Sequence, residues 1–399
     1  MQSNQDRLIS DLKKLKEYYK KHQKQSDITF DYIGFYVLDK LAIDLLGFSF
    51  EPFSVFEDPN EIQSLFEKMS CQEINSFNTF MRDNYEDLFA LFNKLNKYLI
   101  KIDYPTLPFY KLISGYSEKD FTDILLSFFS RYGNDMYKLV KKYMDEDRIV
   151  MSYNHKIGEE NSTAMHIGSK KLKSGYIIMQ HRRYNDLSLS SLVHELGHAY
   201  DRESFIYPQQ KKLREFEDYF IEVPSSYFEL EFYDYLIEQG IHVDGANILK
   251  NDRYTYMDDA FPAVCSTDKS FFEQREPSII LNIENYEARS KVRKEIIYGI
   301  GIYTALHLQY LRENMSCKEF MKLFYDFISL RKERTLQSSI EGLGINYEDF
   351  INGTIAYPKI EESSLSLKRR FMNYHFFHNK FYQFVEGFSV KGLTNTYKK

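Results

Sequence analysis

Hydrophobic and polar positions alternate with helical period over most of this chain. Leu8, Ile9, Leu12, Leu15 and Tyr18 recur along residues 5–24 with lysines on the other faces, which predicts an amphipathic helix. Asp31–Leu46 reads as a second, more apolar helix, and residues 59–103 as two or three more. Phe66, Met69, Phe77, Phe80, Met81, Leu88, Phe89, Leu91 and Leu95 are their core candidates. Asp103–Pro108 holds two prolines and reads as a linker. Ser117, followed by Glu118 and Asp120, has the form of an N-cap that starts a helix running to about Met144.

The pattern changes near Arg148. Ile149–Tyr153 and Gly175–Gln180 are short β-branched or aromatic runs bounded by breakers, so both are expected strands, with His166-Ile-Gly168 between them. Tyr176–Gln180 is the candidate edge strand, able to take an extended peptide by strand addition. Helical periodicity returns at Leu187–Asp201, at Lys211–Gln239 with an interruption at Pro224, at Ile283–Arg312 and at Cys317–Lys332. Residues 241–280, with Gly245, Pro262 and Pro277, are expected to be irregular, and Glu341–Asn346 a turn. Further helices are expected over about Leu365–Phe388, followed by a frayed tail. The expected fold is mainly α, with a small β-sheet beside one central helix. Residues 1–147 would form a helical lobe and residues 148–399 the region that carries chemistry.

That chemistry centres on Leu187–Asp201, where His194, Glu195 and His198 form His-Glu-x-x-His. Positions four apart share a helix face, so both imidazoles can reach one zinc ion. Glu195 can then face the coordination position where water sits. The bare pattern is permissive, but its frame is selective: Val193, Leu196, Gly197, Ala199 and Tyr200 are all uncharged, as in a buried helix. Two histidines and a glutamate buried there are costly without a metal or hydrogen-bond partners.

A catalytic zinc keeps three protein ligands plus water. The Gly and His that would follow His198 in one large class are replaced by Asp201 and Ser204, which excludes that class. Glu203, Glu215, Glu217, Asp218 and Glu222 are all in range, and spacing does not choose among them. Glu217 suits an aminopeptidase spacing and Asp218 a thermolysin-like one, each without its usual sequence context. Tyr219-Phe-Ile-Glu-Val-Pro-Ser-Ser-Tyr-Phe-Glu229 resembles a segment of the thimet oligopeptidase and oligoendopeptidase F family of zinc peptidases. Gly175–His181 with Leu187–Asp201, and Tyr298-Gly-Ile-Gly-Ile-Tyr-Thr-Ala-Leu306, are similar to further segments of that family. The resemblance covers roughly residues 150–355.

By that resemblance Glu222 is the third zinc ligand, Glu229 orients a ligand imidazole, and Tyr298 donates to the oxyanion. It also implies a zincin-type catalytic domain within a helical shell that encloses a cleft or channel and admits short peptides. Two departures stand out. Family members are usually longer, and no His occurs between His242 and His307, where the family carries one before the Tyr; Tyr286, Arg289 and Arg293 are candidate substitutes. Both departures keep a non-catalytic peptide-binding protein on the same zinc scaffold as the alternative. A structural zinc site would be closed by four ligands, often Cys, and no Cys lies nearby.

Composition removes other classes. The net charge of −6 is interspersed along 399 residues, with no basic face for nucleic acid. Cys71, Cys265 and Cys317 are scattered and odd in number, which points to a reducing compartment. The N-terminal residues lack a signal peptide's apolar segment, and no run is long enough to span a membrane. The expected location is therefore cytoplasmic. Aromatic residues make up 17%, all Phe and Tyr, and read first as core packing. His375 and His378 have a metal-compatible spacing but sit among Phe and Tyr.

Overall fold

The computed structural model describes residue 10 and residues 78–97, 115–153, 162–169, 174–181, 184–203, 219–265, 283–330 and 335–360. The expected helices at 5–24, Asp31–Leu46 and Leu365–Phe388, and the pair His375 and His378, lie outside the described residues or nearly so.

The described chain is mainly helical, with one three-stranded sheet. Helix α1 covers residues 78–97, where Phe80, Met81, Leu88, Leu91 and Leu95 are buried as expected. The helix expected from Ser117 to Met144 is two: α2 (Glu118–Ser130) and α3 (Asn134–Asp145). The break falls at Gly133, whose φ of 91° is a conformation that suits only glycine. Ser117 caps α2 as predicted, its side chain accepting from the Asp120 N–H at 3.1 Å.

Three strands follow: β1 (Ile149–Tyr153), β2 (Ser162–Ser169) and β3 (Ser174–His181). Their order is β1-β3-β2, with β1 parallel and β2 antiparallel to β3. This corrects the expected edge. Tyr176–Gln180 lies in the central strand, where Tyr176, Ile177, Ile178 and Met179 are all buried, and the edge beside the motif helix is β2. The continuous apolar run was the signal of a central strand, since an edge strand with one solvated face would alternate.

Helix α4 (Asp186–Asp201) carries the His-Glu-x-x-His motif. It starts with a capping box: Asn185 accepts from the Ser188 N–H at 2.8 Å, and Ser188 Oγ accepts from the Asn185 N–H at 2.9 Å. Apolar side chains surround it, and Leu189, Leu192, Val193, Leu196 and Ala199 are buried. Helix α5 (Val223–Glu238) crosses α4 at backbone contact. A Cβ on Gly197 would lie 2.6 Å from Ser225 Cα, so only glycine permits this approach. Pro224 sits in the first turn of α5, where its missing N–H costs nothing, and so begins this helix rather than interrupting one.

Helix α6 (Val243–Cys265) takes the place of the first part of the irregular segment expected at 241–280; residues 266–280 lie outside the described ones. Gly245 lies in its first turn and Pro262 in its last, where neither breaks the body of a helix. Ala246, Leu249, Met257, Ala260 and Val264 form its buried stripe. Helix α7 (Ile283–Glu313) packs on α6 through Gly299, where a Cβ would lie 2.6 Å from Ala260 Cβ. Helices α8 (Cys317–Leu330), α9 (Leu336–Gly342) and α10 (Tyr347–Asn352) follow. Among the described residues no helix is long and apolar enough to cross a membrane.

The aromatic content is core material. Phe128 and Phe129 of α2, and Tyr132 just beyond its end, meet Phe228 and Phe232 of α5 edge-on at centroid distances of 5.2–5.7 Å. Tyr227 and Phe228 in turn meet Phe324 of α8 at 5.2 and 5.8 Å. Edge-on ring pairs add stabilisation beyond the area they bury.

His307 of α7 is fully buried between Tyr303 and Phe350, at ring distances of 4.9 and 5.0 Å. Neither ring nitrogen has a hydrogen-bond partner among the described residues. Burial, aided by Lys359, pushes its pKa down to about 3, against about 6.5 in an unfolded chain. Between those two values the unfolded chain binds a proton that the folded chain refuses, so stability falls as pH drops through this window. At pH 5 the expected loss from this group is about 2 kcal/mol relative to pH 7. His307→Phe should remove that part of the acid sensitivity in urea unfolding at the two pH values; an unchanged difference would contradict the assignment.

Candidate metal centre

Three side chains from two helices converge beneath the sheet. His194 and His198 project from one face of α4, and Glu222 stands at the entry to α5. The Nε2 atoms of both histidines lie 3.3 Å from the same carboxylate oxygen, Glu222 Oε2. His194, Glu195 and Glu222 are buried to 8–9% exposure, and His198 is half-buried. The ligand atoms of His194, His198 and Glu222 lie within 4.8 Å of one another and could hold a metal ion.

The donor chemistry fits a metal. Ligands at 2.0–2.2 Å from a tetrahedral zinc stand about 3.3 Å from one another, the separation found for both histidine–glutamate pairs. His194 Nδ1 lies 3.0 Å from Glu229 Oε2, and a carboxylate only accepts. The proton is therefore on Nδ1, and Nε2 can turn a lone pair toward the centre. His198 Nδ1 has no partner among the described residues.

Electrostatics among these side chains point the same way. Burial alone would drive His194 to its neutral form, yet hydrogen bonds and charge from Glu222 and Glu229 override it and raise the pKa to about 10. Glu222 is held well below the carboxylate range: burial opposes this, but His198 and His194 outweigh it. The carboxylates of this donor set favour positive charge at its centre.

Backbone geometry brings Glu222 to this point. A Cβ on Gly301 of α7 would lie 2.7 Å from Glu222 Cβ, so glycine there lets α7 close over the carboxylate. Ser225 Oγ donates to the Glu222 carbonyl at 3.0 Å and to Oε2 at 3.1 Å, fixing the side chain over the first turn of α5. Of the other third-ligand candidates, Glu203 is engaged elsewhere, accepting from Ser174 Oγ at 2.5 Å and pairing with Lys142 at 2.7 Å. Glu215, Glu217 and Asp218 lie outside the described residues.

Glu195 follows the first histidine on the same helix. Its Oε2 accepts the backbone N–H of His166 on β2 at 2.6 Å. That N–H therefore points away from β3, and by the strand's period of two so do the backbone groups of residues 164 and 168. His166 is itself fixed by the Tyr143 hydroxyl, 3.0 Å from Nε2, and the same hydroxyl accepts the Gly175 N–H at 3.2 Å. Tyr143 thus ties both strands of the hairpin to α3. His181 is paired in the sheet opposite Ser162, and His155 lies outside the described residues.

Tyr298 is on α7, with its ring parallel to that of His194 at 6.3 Å and stacked on Tyr256 at 5.5 Å. Burial first, then the Glu222 and Glu195 carboxylates, push its hydroxyl well above the usual tyrosine range. It stays a proton donor. Of the candidates to replace the absent histidine, Arg293 is half-buried on α7, while the side chains of Tyr286 and Arg289 lie outside the described ones. Sequence reasoning missed Tyr256, because its segment read as irregular.

It also missed the setting of Glu229, which is buried to 1% exposure. Its Oε1 accepts from Ser190 Oγ, Tyr233 OH and Arg253 Nε, each at 2.7 Å. Burial opposes the charged form, but Arg253, then His194 and Ser190, hold the carboxyl at about 2. The Tyr233 contact was legible as an i, i+4 pair on α5; the Arg253 contact needed α6. Glu229→Ala would leave Arg253 in a buried site without its counter-charge and cost about 3–5 kcal/mol of stability. Urea unfolding should show this loss, partly recovered in Glu229→Ala/Arg253→Leu; fully additive losses would rule out the pairing.

No protein-family model and no curated protein sequence matches the chain. Solved structures do resemble it. A protein from Chlamydophila abortus assigned as a peptidase is 13% identical with a TM-score of 0.43, over 74% of this chain and 55% of that one. A protein from Bacillus anthracis str. Ames assigned as an oligoendopeptidase F is 12% identical with a TM-score of 0.46, over 88% of this chain and 65% of that one. A further structure assigned as an oligoendopeptidase F is 10% identical with a TM-score of 0.44, over 63% of this chain and 49% of that one. The chain thus spans between about half and two thirds of the length of the structures it matches.

Proposed function

We propose that this protein is a zinc-dependent metallopeptidase that hydrolyses internal bonds of short oligopeptides. One observation carries the reading: two imidazole nitrogens and one carboxylate oxygen, from His194, His198 and Glu222, converge with the spacing of ligands around a single ion. The resemblance of Ile221-Glu-Val-Pro-Ser225 and of the Tyr298 segment to the thimet oligopeptidase and oligoendopeptidase F family supports it. On this reading residues 1–147 belong to a helical wall around the cleft, and 148–399 to the catalytic region.

Zinc bound by these three residues would acidify a water and polarise the scissile carbonyl. Glu195, as general base, takes a proton from the attacking water and then, as general acid, delivers it to the leaving nitrogen. The His166 N–H at Glu195 Oε2 fixes the carboxylate for this work. Tyr298, kept protonated by its buried, acidic surroundings, donates to the oxyanion as it develops. Glu229, through the His194 Nδ1–H, sets the tautomer and orientation of the first ligand. Among the described residues no strand pairs with the outer edge of β2, and that edge, in place of β3, offers its backbone groups other than those of His166 to an extended peptide.

Two experiments test the assignment. Glu195→Gln should keep its zinc by elemental analysis while cleavage of a quenched-fluorescent peptide library falls roughly 100-fold or more; undiminished cleavage would sink the proposed base. Glu222→Ala should lose zinc and Glu217→Ala keep it. The reverse pattern would move the third ligand to Glu217.

A further inference from the structure

A cavity of about 500 Å³ opens on the far part of the α5–α6 interface, between the end of α2, the end of α7 and Lys359. Its walls are almost entirely charged, and most of those charges cancel in pairs. Arg131 meets Glu238 at 2.9 Å, Lys250 meets Asp234 at 2.5 Å, and Lys359 meets Glu313 at 2.7 Å. Two opposite charges on the same walls make no ion pair of their own among the described residues. The Arg312 guanidinium has no carboxylate within ion-pair distance among the described residues; its one hydrogen bond is to the Met315 carbonyl, at 3.4 Å. Glu231 has no cation partner there either, and accepts only from neutral groups, the Tyr132 hydroxyl at 2.8 Å and the Gln309 amide at 3.0 Å.

We propose that this cavity binds a small zwitterion, a free amino acid or a dipeptide, with its carboxylate on Arg312 and its ammonium on Glu231. A guanidinium matches a carboxylate through two parallel hydrogen bonds, and the carboxylate of Glu231 retains lone pairs for an ammonium. A ligand with only one charge would leave the other wall charge uncompensated, so the site selects for both ends. Ile237 is an apolar lining residue that a small side chain could cover. The site adjoins the machinery around the metal centre without sharing a residue with it. Asp234–Lys250 and Glu229–Arg253 both bridge α5 and α6, the first at the cavity and the second behind His194. The inference does not depend on the peptidase reading, since binding is read without turnover.

The test is titration calorimetry on the full chain treated with EDTA, using L-alanine and L-alanyl-L-alanine, with N-acetyl-L-alanine and L-alanine amide as single-charge controls. Saturable binding of at least one zwitterion is expected, with each blocked control at least ten-fold weaker. Which of the two zwitterions binds tighter names the ligand class. Arg312→Gln and Glu231→Gln should each weaken binding at least ten-fold, while Arg312→Lys retains part of it. Arg312 makes one long backbone contact, so its variants should fold, which circular dichroism would check. No saturable binding, equal binding of a blocked control, or undiminished binding in folded Arg312→Gln would each overturn the proposal.

Discussion

Two helices that cross at backbone contact make the rest of this structure possible. At the α4–α5 crossing Gly197 faces Ser225 with no room for a side chain. That closeness lets a carboxylate at the start of α5 reach both imidazoles of α4. A wider crossing, which an alanine would impose, would carry Glu222 away from the histidines. The same logic repeats at Gly301, where α7 closes over Glu222. Three helices are therefore held at the separations the donor set requires, and a cluster of large aromatic side chains packs where α2, α5 and α8 meet.

Holding ionisable groups in such a place has an electrostatic cost, and the fold meets it in layers. Glu222 answers both histidines, Glu229 answers His194, and Arg253 answers Glu229, each partner within hydrogen-bond or ion-pair distance of the next. Ser190 and Tyr233 complete the shell of Glu229. A buried charge removed from this chain strands its neighbour, which is why such networks respond to single substitutions more strongly than to paired ones. On the sheet side the arrangement is simpler. Glu195 rests on a backbone N–H of the edge strand, and the Tyr143 hydroxyl ties that strand to α3.

Much of the helical architecture could be read in the sequence, because helical periodicity and caps are local signals. The Ser117 cap, the span of α4, the core face of α1 and the length of α7 all follow from side-chain spacing. The errors came where breakers were read without their position in an element. Pro224 lies in the first turn of α5, where its missing N–H costs nothing, and Pro262 lies in the last turn of α6, past the body of that helix. Gly133 divides α2 from α3 through a backbone angle that residue spacing does not signal.

The sequence by itself determined that His194 and His198 share a helix face with Glu195, since four residues make about one turn. Segment resemblance, and not spacing, picked out Glu222 from several acidic residues. Tertiary structure decided what distance along the chain cannot encode. It brought Glu222 to 3.3 Å from both imidazoles, put Arg253 behind Glu229, stacked Tyr256 on Tyr298, and made β2 rather than β3 the edge strand. Each of these depends on which helices approach closely and which strand is inserted between its neighbours. Those are properties of packed surfaces, set by glycines and buried side chains far apart in sequence.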